Sequence, residues 1–246
     1  MQAQEYEKMF RLEDRYWWFV GRRRLALRLL RRGVAGASRP RILDLGCGTG
    51  RVMSELKEWS EPVGLDMSDL ALRFSASRGL GPLVKGSGTA LPFAAERFDA
   101  IVSLDVYEHI EDHRRAFAES LRVLKPGGTL VLSVPAHGFL WGPHDVALMH
   151  FRRYTRPELK ALLEAQGFEV ERIGYSVFFL FPVVMLVRFF ERRRKGPAQA
   201  NLVAVPEWLN RALVALQTFE ASLIERFDLP WGSSVIVVAR KPGGSS

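Results

Sequence analysis

A chain of 246 residues, 48% hydrophobic and 25% charged, can bury a full core as one large domain with additions, and its composition excludes a disordered or fibrous protein. Lys and Arg outnumber acids 35 to 27, a formal net charge of +8, which admits nucleic acid, anionic headgroups or an acidic substrate as partners. The single cysteine, Cys47, excludes an intrachain disulfide, and the polar start Met1-Gln2-Ala3-Gln4-Glu5 does not read as a signal peptide, so a cytoplasmic protein in a reducing compartment is expected.

Residues 1–38 read as helical, with Tyr6, Phe10, Tyr16, Trp17, Trp18 and Phe19 ahead of Arg22-Arg23-Arg24. Between Arg15 and Arg41 stand nine arginines and no acid. Such a block is either a solvated helix face or a surface for a polyanion. From Arg41 onward strands and helices alternate. Strands are expected at Arg41–Leu45, Pro62–Leu65, Leu83–Lys85, Phe98–Leu104, Thr129–Pro135, Glu169–Tyr175 and Ser234–Arg240. Helices are expected at Arg51–Trp59, Asp69–Arg78, Ile110–Leu124 and Arg156–Gln166, the third stopped by Lys125-Pro126-Gly127-Gly128. That alternation predicts an α/β fold with a doubly wound, mostly parallel sheet of seven strands.

The first strand runs into Asp44-Leu45-Gly46-Cys47-Gly48-Thr49-Gly50. Glycines let the backbone turn tightly and approach a ligand, and the following helix N-terminus completes a nucleotide-sized cradle. A dinucleotide turn reads G-x-G-x-x-G; here the spacing is G-x-G-x-G, with Arg51 at the sixth position. Asp44 would repel a pyrophosphate but can engage an α-ammonium. The second strand ends in Asp66, whose carboxylate can accept both ribose hydroxyls. D-x-G-x-G-x-G followed by a strand-end Asp resembles the class I S-adenosylmethionine-dependent methyltransferase family.

That resemblance implies a Rossmann-like methyltransferase fold and S-adenosylmethionine as cofactor, held by Asp44, Gly46, Cys47, Gly48, Gly50, Asp66 and Met67. It makes Ser87, Gly88 and Thr89 the adenine-side loop, with Ser87 where relatives usually carry Asp. Ser103-Leu104-Asp105-Val106-Tyr107-Glu108-His109 ends the fourth strand, and its D-x-x-E-H-I pattern resembles the ubiquinone-biosynthesis type of small-molecule methyltransferase. By that likeness Leu104 and Asp105 border the cofactor and His109 faces the transferable methyl. A hydroxyl nucleophile wants a general base, and His109 has a suitable reference pKa. The Tyr16, Trp17 and Trp18 cluster reads as a lid over cofactor and substrate, because a sulfonium favours π faces, and Arg22 is a candidate for the methionine carboxylate.

After the fifth strand comes a polar and aromatic loop, Trp141 to Tyr154, leaving the catalytic edge, where α/β enzymes recruit substrate contacts. His144 is a second acid–base candidate; His150, Arg153 and Tyr154 are substrate candidates. His144, Asp145 and His150 together are one possible ligand set, but the glycine-rich site needs no metal and none is assigned. The segment 176–231 separates strands that form a short-looped hairpin in the family. It opens with the apolar run Val177–Val187, then Arg188-Phe189-Phe190, then Arg192-Arg193-Arg194-Lys195. It is too short for a membrane span of about 20 residues. It either lies in an anionic membrane interface or covers the pocket or a dimer face. Asn201–Asp228 reads as a helix with Leu209, Leu213, Leu216, Phe219 and Leu223 in one stripe.

The expected organisation is a helical lid at 1–38, a methyltransferase core at 39–175 and 232–242, and an apolar helical insertion at 176–231. The expected function is methyl transfer to a small-molecule, lipid-linked or glycan-related acceptor at oxygen, at the inner face of a membrane if the insertion meets lipid. An RNA methyltransferase and a non-catalytic membrane-peripheral binding protein of the same fold are the alternatives. Against RNA, the fourth strand lacks the Asn/Asp-Pro-Pro-aromatic motif of many base-amine methyltransferases.

Overall fold

The structure, a computed structural model, describes residues 3–193 and 205–243. Arg194, Lys195 and the start of the helix expected from Asn201 lie outside the described residues. Apolar runs bounded by Gly and Asp produce β1 (Arg41–Leu45), β2 (Glu61–Asp66), β3 (Leu83–Lys85), β4 (Phe98–Leu104), β5 (Leu124–Pro135), β6 (Glu169–Ser176) and β7 (Ser234–Arg240). Between and around them lie α1 (Ala3–Leu12), α2 (Trp17–Gly33), α3 (Arg51–Leu56), α4 (Asp69–Ser77), α5 (His113–Val123), α6 (Pro143–Ala147), α7 (Arg156–Ala165), α8 (Phe181–Glu191) and α9 (Glu207–Ile224).

The strands form a seven-stranded sheet in the order β3-β2-β1-β4-β5-β7-β6. β1 to β5 pair parallel to their neighbours, and β7 runs antiparallel to both β5 and β6. The order reverses between β1 and β4, so the carboxyl ends of these two strands flank the crevice where such sheets bind ligands.

Several boundaries differ from the sequence reading, two of them around α5. The third interior helix starts at His113 instead of Ile110, because Asp112 caps it by accepting from the Arg115 N–H at 3.0 Å. Tyr107–His109 form a 3₁₀ turn before it. Lys125-Pro126-Gly127-Gly128 does not only stop that helix but leads into β5, with a register shift opposite Phe98 and Ala100.

One face of the sheet is covered by α5 and α7, through Phe117, Leu159 and Leu163. The other is covered by α2 and α9, through Leu25, Leu27, Leu29, Leu30, Ala221 and Ile224 on Ile42, Val102, Val131 and Ile236. Within the segment 1–38, read as a lid, the two helices therefore part: α1 lies over the glycine turn, and α2 is a layer of the sheet. Arg24, Arg28 and Arg32 of α2 donate to Thr218, Ser222 and Glu225 of α9 in ascending order, so the two helices run parallel. Gly21 lets them close, since a Cβ there would stand 2.7 Å from Gln217. The arginine block is thus largely engaged by partners within the chain, with Arg23 on Glu55 and Arg31 over the Trp59 ring as well.

α9 turns a different face inward from the one its apolar stripe predicts. Its buried residues are Asn210, Gln217, Glu220, Ala221 and Ile224, while Phe219 is exposed. The polar members satisfy backbone that would otherwise be stranded. Asn210 accepts from the Trp17 N–H and donates to the Arg15 carbonyl, and Glu220 accepts from the Val177 and Phe179 N–H groups. Capping orphan N–H groups at a helix start and a strand exit outweighs burial of a few leucines. α8 in turn has no buried residue. No described helix is long and apolar enough to cross a membrane.

Candidate functional site

The turn after β1 holds Gly46, Gly48 and Gly50 at φ of 75°, 54° and 87°, the left-handed region that favours glycine. A Cβ at Gly46 would meet Val106 Cγ2 at 2.3 Å, whereas one at Gly48 would meet only the tip of Met9, at 2.9 Å. Gly46 is thus demanded by the packing of β4's exit, and Gly48 lies open beneath α1. Cys47 is buried, and burial beside Asp44 and Asp66 pushes its thiol well up, so it is an inert filler of the turn.

Three carboxyl groups surround this turn. Asp44 is 2% exposed and its Oδ2 has no hydrogen-bond partner. Asp66 accepts from the Gly48 N–H at 3.0 Å and the Ser68 N–H at 2.9 Å. Glu13, brought in by the end of α1, accepts from Thr49 and from Arg78. Burial, then repulsion by Asp66 and Glu13, raises Asp44 to about 8. Arg78 answers Glu13, but nothing bonds to Asp44 Oδ2. An α-ammonium on Asp44, ribose hydroxyls on the spare lone pairs of Asp66 and a sulfonium nearby would complete the cluster. S-adenosylmethionine therefore fits the residues present.

Met67 is 67% exposed on the rim beside Asp66. Ser87 and Thr89 hydrogen-bond each other at 2.8 Å, and a Cβ at Gly88 would touch Ile110 at 2.9 Å, so this loop is held by its own hydroxyls. Leu104, Arg22 and Met9 join the glycine turn in lining a cleft of about 60 Å³. Ligand pockets are typically about 300–1,000 Å³, so α1 fills much of this one. A cavity of about 300 Å³ lies at the opposite sheet edge among Arg32, Glu171, Arg172, Glu225 and Arg240, away from the glycine turn.

Asp105, at φ 55°, pairs with Arg22, which reaches down from α2. Arg22 is thereby committed to Asp105, with its Nε buried and unpartnered. The 3₁₀ turn that follows carries Glu108, fully buried, and His109, whose ring stands perpendicular to that of His150 at 4.6 Å. His150 Nδ1 lies 2.9 Å from Asp145, and Arg153 grips the same carboxylate with two donors. His109, His150, Arg153 and Asp145 are therefore brought together. His144 sits beside them under Arg188, and burial lowers it to about 3. Tyr154 is 3% exposed, with its hydroxyl 2.9 Å from His113 and 3.2 Å from the Tyr107 carbonyl. It braces the core below the loop. Trp17 and Trp18 stack edge to face at 5.6 Å beside Tyr16.

Residues 43–132 match the family model described as a methyltransferase domain. The chain carries a methyltransferase domain. It is 30% identical over 163 residues to a "Probable S-adenosylmethionine-dependent methyltransferase" of Mycolicibacterium smegmatis, covering 65% of this chain and 62% of that one. It is 36% identical over 148 residues to a malonyl-[acyl-carrier protein] O-methyltransferase of Methylococcus capsulatus, covering 54% and 53%. The chain thus spans under two thirds of the length of these relatives. A solved S-adenosylmethionine-dependent methyltransferase of Mesorhizobium loti superposes with a TM-score of 0.59 at 17% identity, over 88% of this chain and 97% of that one. The fold is the class I methyltransferase fold.

Sequence reasoning missed Met9 and Glu13 as lining of this domain's cleft, and it passed over Glu108 between two residues it did choose. Only the adjacency of Glu108 to the strand-end motif pointed to it. Nothing local marks Met9, which gains meaning from α1 folding over the turn.

Proposed function

We propose that the chain transfers a methyl group from S-adenosylmethionine to an oxygen of a small-molecule, lipid-linked or glycan-related acceptor. The observation that supports it most is the buried carboxyl of Asp44 beneath the glycine turn, whose Oδ2 has no partner. When bound, the cofactor supplies a methyl on a positively charged sulfur. Its methyl would be open to attack by the acceptor oxygen, the electron pair of the S–CH₃ bond remaining on sulfur and the hydroxyl proton passing to solvent. Asp44 takes the ammonium, Asp66 and Met67 the ribose side, and Ser87, Gly88 and Thr89 the adenine side. Leu104 and Asp105 border the transfer point, and α1 lifts to admit the cofactor. Tyr16, Trp17 and Trp18 close the acceptor side, with His150, Arg153 and Tyr154 shaping the loop opposite.

His109 and His144 are neutral imidazoles that can accept a hydrogen bond from an acceptor hydroxyl. Burial, with His150 alongside, lowers His109 to about 4, far below the operating pH at which a general base works best. Its reading as a base therefore covers hydrogen bonding and alignment better than full proton uptake. S-adenosylhomocysteine at about 100 times its dissociation constant should stabilise the full chain by about 2.7 kcal/mol in thermal unfolding; an unchanged melting temperature would sink the reading. For the acceptor, methyl-labelled cofactor incubated with a bacterial lipid extract should leave label in the organic phase. Label carried instead by RNA would overturn the acceptor class.

The apolar surface favours an acceptor presented at a membrane. Phe139, Met149 and Phe151 by the loop, and Val183, Leu186 and Phe190 on α8, are all more than half exposed. An apolar helix beside basic residues suits the interface of an anionic bilayer. Leu186→Glu with Phe190→Glu should reduce co-sedimentation with phosphatidylglycerol vesicles several-fold and leave cofactor binding intact. Equal sedimentation of variant and wild type would remove the membrane role.

A further inference from the structure

Glu108 is anomalous among the described residues. It is fully buried, and neither carboxylate oxygen has a hydrogen-bond partner. Burial pushes its carboxyl up to about 8 against the pull of Arg22 and Arg153, neither of which bonds to it. A buried carboxylate left so is expensive unless something cationic completes it. The ring of His150 faces it, with Nε2 4.0 Å from Oε1, too long for a direct hydrogen bond. His109 presents its ring across His150. One ligand atom from each of Glu108, His109 and His150 lies within 4.8 Å of the other two.

Both imidazoles are also held from behind. His150 Nδ1 meets Asp145 at 2.9 Å, and Asp145 is itself fixed by Arg153 and by the Gly142 N–H at 2.9 Å. The backbone of Leu148 and Met149, the latter at φ 60°, lies against the His109 ring and favours a proton on it. A metal-ligating histidine almost always donates its second ring nitrogen to a carboxylate or a backbone carbonyl. Here the two histidines have one partner of each kind.

We propose that Glu108, His109 and His150 bind a divalent first-row transition metal ion. Two imidazoles and one carboxylate are a donor set for Zn²⁺, Fe²⁺, Mn²⁺ or Co²⁺, and three protein ligands leave positions open for an oxygen donor. Bonds of about 2.0–2.1 Å would need the three ligand atoms to draw together by about 1 Å, within the reach of side-chain rotation. The set differs from His144, Asp145 and His150, considered from the sequence, because Asp145 is consumed in orienting His150. The site adjoins the cofactor cleft through Asp105 and Arg22. That the ion holds and acidifies the acceptor hydroxyl rests on the methyl-transfer reading; that it binds does not.

The test is a Co²⁺ titration of the tag-free full chain after chelator treatment and desalting, read by visible absorption. One equivalent should give d–d bands, and Glu108→Gln and His150→Gln should each weaken binding by at least about 10-fold. Zn²⁺ should raise the melting temperature of wild type and of neither variant. Loss of fold does not confuse the result, because Glu108→Gln replaces a buried carboxyl that no group bonds with a neutral amide of the same shape and should leave the metal-free protein about as stable. No saturable Co²⁺ binding by wild type, or equal binding by both variants, overturns the proposal. The S-adenosylhomocysteine shift is measured on the same samples. Its absence with Co²⁺ bound would remove the transferase reading alone, and its presence without Co²⁺ binding would remove the metal alone.

Discussion

Asp44→Asn is expected to weaken S-adenosylhomocysteine binding by about 100-fold or more while leaving the ligand-free protein as stable as wild type, or more so, at pH 7. The two effects have one cause. A buried carboxylate with an unpartnered oxygen beside two further acids costs the empty fold stability, and it recovers that cost when an ammonium arrives. Asparagine keeps the shape and one carbonyl acceptor but removes the charge. A factor of 100 is about 2.7 kcal/mol, within what a charge-assisted hydrogen bond to a buried cation is worth. Calorimetric titration and thermal unfolding, with and without ligand, separate the halves. Undiminished binding by the variant would show that the ammonium sits elsewhere.

The pH dependence carries the same sign. Burial raises Asp44 from the ordinary carboxylate range to about 8. Between about pH 4 and 8 the folded chain therefore keeps a proton that the unfolded chain releases. Stability rises with pH only where the unfolded state binds more protons, so this group makes ligand-free stability fall across that window. Asp44→Asn should flatten that slope, whereas bound cofactor should remove it by favouring the ionised carboxylate.

How much of this was legible in the chain depended on the range of the contact. The glycine turn, Asp44, Asp66 and the mostly parallel seven-stranded sheet follow from local spacing, and the strands fall close to where alternation put them. The arginine block was ambiguous because its partners are remote: Arg24 and Arg28 donate to hydroxyls 194 residues away. α9 misled for a different reason. Periodicity assumes that the inward face is the apolar one, but Asn210, Gln217 and Glu220 are inside, two of them capping backbone that no window of sequence reveals. Glu108 stood in a motif that was recognised, yet its isolation is visible only once the surrounding core is assembled.

The glycine turn itself divides into a part the fold requires and a part the ligand requires, and substitution should separate them. Gly46→Ala is expected to destabilise the ligand-free protein by about 3 kcal/mol. Alanine at a left-handed φ of 75° costs roughly 1 kcal/mol. Its Cβ would also stand 2.3 Å from Val106 Cγ2 and 2.9 Å from Cγ1, an overpacking worth about 1–3 kcal/mol. For a chain of this size that is a drop of roughly 6–12 °C in melting temperature. Val106→Ala removes both clashing methyls but leaves φ unchanged, so the double variant should be more stable than Gly46→Ala alone and less stable than wild type. If the second change instead adds further loss, the clash is not the cause. Gly48→Ala should behave differently, because its Cβ would meet only the flexible end of Met9 on α1. Its cost should fall on how α1 closes over the cleft, and be read in cofactor affinity more than in melting temperature.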